Sequence, residues 1–126
     1  FYVNHVGAQT DIIFDGGSIV MSAADGGRIF DEMPYFEEAL KIYDLDEVVR
    51  GDRSAEQPKD KIRLIHDALV VGIRDYFQKL NFKIAILGLS GGIDSAVTAV
   101  LAVRALGKEN VRVLLMPSQF SRSRSA

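Results

Sequence analysis

The sequence has no cysteine and no tryptophan among its 126 residues, and only two histidines and three prolines. Without cysteine the chain holds no disulfide framework, no thiolate metal site and no cysteine nucleophile. The histidines, His5 and His66, are far apart, and neither has a companion at metal-ligand spacing. His66 therefore reads as a partly solvated helix residue. No apolar run approaches the roughly 20 residues that span a bilayer, and the first residues lack the basic-then-apolar pattern of a secretory leader. A cytoplasmic location with no membrane partner is the expectation. Fifteen Lys and Arg against 17 Asp and Glu leave a net charge of -2, which gives no footprint for nucleic acid.

What is present is ordinary for a soluble globular chain: 48% apolar and 25% charged residues. Phe1 to Val6 begins in the middle of an apolar pattern, which suggests a slice of a longer protein. Thr10–Phe14, Ser18–Ser22 and Arg28–Glu32 are strand-like runs separated by Asp15-Gly16-Gly17 and Asp25-Gly26-Gly27, so residues 11–32 predict a short antiparallel meander. Residues 44–49 are charged and unperiodic. Arg50 to Pro58 is polar, contains Gly and Pro, and reads as a linker. This gives a first domain segment over 1–49, a linker over 50–58 and a second segment over 59–126.

The second segment opens with the clearest periodicity in the chain. Ile62, Ile65, Leu69, Ile73, Phe77 and Leu80 recur at spacings of three and four, predicting a helix from Pro58 to Leu80. Pro58 suits its first turn, and Asn81 the position just past its end. Residues 83–89 then read as a strand buried on both faces, 93–106 as a helix stopped by Gly107, and 111–116 as a second, parallel strand. The fold class is α/β, with one βαβ unit and a sheet left unfinished.

Between that strand and helix lies Gly88-Leu89-Ser90-Gly91-Gly92-Ile93-Asp94-Ser95, a place where loop amides and a helix N-terminus converge on an anion. A Walker loop needs a Lys before Ser95, and Asp94 stands there instead. Gly88-Leu89-Ser90-Gly91-Gly92 satisfies G-x-S-x-G, but no histidine follows to complete a hydrolase triad. The fitting chemistry is a pyrophosphate loop for ATP. In it the hydroxyls of Ser90 and Ser95 meet phosphate, and Gly91 and Gly92 allow close approach. Asp94, a carboxylate among phosphates, implies Mg²⁺. The structural alternative is a plain glycine-rich turn in which Asp94 and Ser95 merely cap the helix.

Ser90-Gly91-Gly92-Ile93-Asp94-Ser95 resembles the S-G-G-x-D-S motif of the ATP pyrophosphatases, which adenylate a substrate oxygen and release pyrophosphate. Residues 59–118, with Met116-Pro117-Ser118 after the second strand, resemble the start of an NAD synthetase domain with the adenine nucleotide alpha hydrolase-like, doubly wound sheet. Asn4-His5-Val6-Gly7 and Phe14-Asp15-Gly16-Gly17-Ser18 look like the closing strands of a nitrilase-type α/β sandwich. That pairing is similar to the glutamine-dependent NAD synthetases. The resemblance implies a ligase of NAD biosynthesis using ATP, Mg²⁺, deamido-NAD and glutamine, and homo-oligomeric at full length. It places the nucleotide at residues 88–95 and Met116, and the metal at Asp94. The alternatives are another S-G-G-x-D-S enzyme or a non-catalytic nucleotide-binding module. The nitrilase family's glutaminase nucleophile is a cysteine, so no glutaminase residue is carried over. The slice alone is expected to be inactive. The family's substrate loop also differs from the Ser- and Arg-rich tail 122–126.

Overall fold

A computed structural model describes residues 1–24, 26–51 and 60–115. Asp25, most of the linker read over 50–58, Pro58, Met116 and the tail lie outside the described residues. The chain divides into two compact units, 1–68 and 69–126.

In the first unit β1 (Val6–Gln9) pairs antiparallel with β2 (Ile12–Asp15), and β3 (Ile19–Ser22) with β4 (Arg28–Glu32). The expected meander is thus two separate hairpins, because β2 does not pair with β3. The reason lies at Gly16 and Gly17, both left-handed at φ 74° and 55°. Glycine adopts that conformation without a Cβ penalty. The Gly16 amide extends the β1–β2 ladder by donating to the His5 carbonyl (2.8 Å), and the Gly17 amide then donates to the Pro34 carbonyl (3.3 Å), so the chain leaves β2 beside residues 34–35 instead of folding back on it. β1, which pairs with β2, escapes a sequence reading because Val6-Gly7-Ala8-Gln9 has only one strong strand former.

A bulge in the β3–β4 register follows Val20, and Val20 and Phe30 bury with Val48 into a small core against which Tyr43 packs. Val48 comes from α1 (Leu45–Arg50), a helix within the stretch read as unperiodic and extending one residue into the expected linker. Its signals are at its ends. Asp44 caps it, accepting from the amides of Asp46 (2.8 Å) and Glu47 (3.4 Å), and Gly51 closes it at φ 74°.

The long helix α2 (Lys61–Lys79) forms within the predicted span, starting three residues after the expected Pro58 and ending one residue before Leu80. Asp60 caps it by accepting from the amides of Ile62 (3.0 Å) and Arg63 (3.3 Å). Its far end is a Schellman motif. The Phe82 amide donates to the Phe77 carbonyl (2.8 Å) and the Asn81 amide to the Gln78 carbonyl (3.1 Å), with Asn81 left-handed at φ 56°. The Phe77 and Phe82 rings meet edge to face at 5.8 Å, the apolar contact that completes this motif. The buried residues are Val70 and Val71, whereas Ile62, Ile65, Leu69 and Leu80 of the predicted stripe are exposed.

In the second unit β5 (Ala85–Leu89), α3 (Ile93–Leu106) and β6 (Val111–Leu115) form the expected βαβ unit, its strands parallel with Ala85 opposite Val111 and Leu89 opposite Leu115. α3 lies against both strands and buries Ala102 and Ala105. β5 is not covered on both faces as its sequence suggested. Ala85 is buried but Ile86 is 64% exposed, because a single helix covers only one face of a two-stranded sheet.

Candidate functional site

The register brings the ends of β5 and β6 level at Leu89 and Leu115, so the chain leaving β5 turns at the carboxyl edge of the parallel pair. Crevices outside that edge are where open α/β sheets bind ligands. Ser90, Gly91 and Gly92 make the turn, and α3 begins at Ile93. Gly91 is left-handed at φ 80° and Gly92 is extended, the conformation of an N-cap.

The two ends of α3 are treated differently. At its C-terminus protein donors satisfy the last carbonyls: Gly107 N–H reaches Val103 O (2.9 Å), Arg74 Nε–H Ala105 O (3.4 Å) and Asn110 Nδ2–H Leu106 O (2.8 Å). At its N-terminus no side chain among the described residues makes a capping hydrogen bond. Helices α1 and α2 are both capped there by aspartates. The amides of the first turn, which an α-helix leaves without internal partners, are open to an anion, with the positive end of the helix dipole behind them.

The serines instead close the loop on itself. Ser95 Oγ donates to the Gly92 carbonyl (3.0 Å) and accepts from the Ser90 amide (3.3 Å). Ser90 Oγ lies 3.1 Å from Ser95 Oγ and accepts from the Gly92 amide (3.4 Å). Ser90, Gly91, Gly92, Ile93 and Asp94 are exposed, whereas Ser95 is half-buried. Gly88 and Leu89 are the last two residues of β5, opposite Leu114 and Leu115. The contiguous residues 88–95 are thus brought together around one turn, while Met116 lies outside the described residues.

Sequence reading passed over Thr98, whose Oγ1 donates to the Asp94 carbonyl at 2.8 Å. The signal was its spacing of four from Asp94 on a helix, where a hydroxyl reaches back to the preceding turn. Among the described residues no group of three or more His, Cys, Asp or Glu gathers to hold a metal ion. Asp94 supplies a single exposed carboxylate beside the open amides. That fits Mg²⁺, which takes one or two protein carboxylates and completes its shell with phosphate oxygens and water. Among the described residues no helix is long and apolar enough to cross a membrane.

The profile of the NAD synthase family matches residues 65–126. The chain is 47% identical over 98% of its length to the glutamine-dependent NAD(+) synthetase of Synechocystis sp., covering 22% of that protein. It is 40% identical over 95% of its length to the enzyme of the same name from Rhodobacter capsulatus, again covering 22% of it. A solved structure of glutamine-dependent NAD+ synthetase from Acinetobacter baumannii in complex with adenosine diphosphate superposes at a TM-score of 0.85. It is 40% identical, and the match covers 98% of this chain and 24% of that one. Residues 65–126 thus match the NAD synthase family, in a chain that spans 22% of the length of these glutamine-dependent NAD(+) synthetase relatives.

Proposed function

We propose that this chain is the junction segment of a glutamine-dependent NAD(+) synthetase. Residues 1–49 are the closing part of a nitrilase-type glutaminase domain, 50–58 the linker and 59–126 the opening of the ATP-pyrophosphatase domain. The observation that carries the reading is the uncapped N-terminus of α3 beneath a glycine turn. What supports it further is the similarity to synthetases across both ends of the chain.

In this reading the nicotinate carboxylate of deamido-NAD attacks the α-phosphorus of ATP, and the bond to the β-phosphate bridging oxygen breaks to release pyrophosphate. Ammonia from glutamine then attacks the acyl carbon. A C–N bond forms, the C–O bond to AMP breaks, and the nitrogen loses a proton to give the amide. The chain's part lies in the first step. The open amides of Ile93, Asp94 and Ser95, the turn at Gly91-Gly92 and the Ser90 hydroxyl bind and orient the phosphates as charge moves onto pyrophosphate. Asp94 would hold Mg²⁺, which when bound neutralises part of that charge. Met116, the next residue in sequence after β6, would receive the adenosine.

The test is NAD formation by a protein of the relatives' full length carrying this segment, supplied with ATP, Mg²⁺, deamido-NAD and either glutamine or ammonium. Formation from both sources is expected. Formation from ammonium alone would remove the glutaminase assignment of residues 1–49, and formation from neither would remove the substrate.

A further inference from the structure

We infer that Ser95 is a positioning residue that braces the loop from behind, and that Ser90 alone of the two serines delivers a hydroxyl to phosphate. The inference rests on the pyrophosphate-loop reading and divides the labour within it. A serine hydroxyl has one proton and two lone pairs. The Ser95 proton is committed to the Gly92 carbonyl at 3.0 Å. Its oxygen faces the Ser90 amide at 3.3 Å and the Ser90 hydroxyl at 3.1 Å, so both lone pairs are also engaged.

Ser90 differs in both respects. It is exposed where Ser95 is half-buried, and since the Ser95 proton is used elsewhere, the proton between the two oxygens belongs to Ser90. That proton can swing to a phosphate oxygen while the Gly92 amide stays on Ser90 Oγ (3.4 Å) and the Ser90 amide stays on Ser95 Oγ. If Ser95 turned its proton outward, the Gly92 carbonyl would lose a donor. That carbonyl also takes the first helical bond, from the Ala96 amide at 3.3 Å. The Ser95 hydroxyl therefore helps aim a carbonyl dipole down the helix, away from the place where an anion sits, and leaves the amides facing out.

The experiment uses the full-length enzyme with Ser95→Ala, Ser95→Thr, Ser90→Ala and Asp94→Asn. It reads hydrogen exchange of the loop peptide in nucleotide-free protein, together with KM for ATP and kcat. Losing the brace should raise loop exchange about tenfold and raise KM for ATP by a similar factor in Ser95→Ala, the scale of one or two hydrogen bonds. Ser95→Thr should restore both, because a helical threonine can still direct its hydroxyl to a carbonyl in the preceding turn. Ser90→Ala should impair ATP use with a smaller change in loop exchange. Unaltered nucleotide-free exchange in Ser95→Ala, with ATP affinity lost, would overturn the brace and make Ser95 a direct phosphate donor. Wild-type kinetics in Ser95→Ala alone would remove its role. Wild-type ATP binding in Ser95→Ala, Ser90→Ala and Asp94→Asn alike would bring down the pyrophosphate reading itself.

Discussion

Gly17 shows how much one missing Cβ can decide. Its backbone is left-handed at φ 55°, and a Cβ there would run into the Tyr35 ring. Gly17→Ala is expected to destabilise the protein by about 1–3 kcal/mol, measured by denaturant unfolding. Gly26, also left-handed but with nothing near an added Cβ, should tolerate alanine better. Asp31 is a second such residue, holding segment 41–43 with one oxygen. Its Oδ2 accepts from Lys41 Nζ (2.7 Å) and Tyr43 OH (3.0 Å). Burial pushes its pKa up, but the bonds to Lys41 and Tyr43 outweigh that and leave it below the ordinary 3.8. A depressed carboxylate contributes stability that is present above 3.8 and lost as pH falls through the lower folded-state value. The acid limb of the stability profile should therefore flatten in Asp31→Asn. For Tyr43, burial and then Asp31 push the hydroxyl above 10.0. Its contribution is present below pH 10 and lost as pH rises through the higher folded value.

Helix α2 owes its stop to Asn81, the position the sequence marked as a C-terminal signal. Asn81→Ala should cost about 1–2 kcal/mol, since alanine resists the left-handed conformation, whereas Asn81→Gly should be near neutral or stabilising; thermal unfolding of the two variants checks this. Local chemistry of this kind was legible: the bounds of α3, the Gly107 stop, the parallel pairing of β5 and β6, and the loop between them all follow from residues adjacent in sequence. α1 was equally local but was overlooked, because its evidence is in the caps Asp44 and Gly51 and only Val48 is buried. Pairing of hairpins was less legible. Whether Gly16-Gly17 joins two strands of one sheet or directs the chain into another depends on their partners His5, Pro34 and Tyr35, which are distant in sequence.

Across the 126 residues, what reads as core in the sequence is often surface. Ile86, Leu114 and Leu115 are 64%, 55% and 62% exposed, although their runs have the composition of a strand covered on both sides. Apolar patterning reports the environment a residue has been selected for, and these faces have no cover among the described residues. The candidate site inherits this. The glycine turn at residues 90–92 is formed, but β6 offers an open flank where a nucleotide pocket would need a wall. Isothermal titration of the 126-residue chain with ATP and Mg²⁺ should accordingly show weak binding or none, against clear binding by a protein of the relatives' length. The loop's central assignment is tested most directly by ATP–pyrophosphate exchange in that full-length protein, dependent on deamido-NAD, with Asp94 intact and with Asp94→Ala. Exchange lost with Asp94→Ala while the protein remains folded is the predicted result, and exchange at the unaltered rate would contradict it.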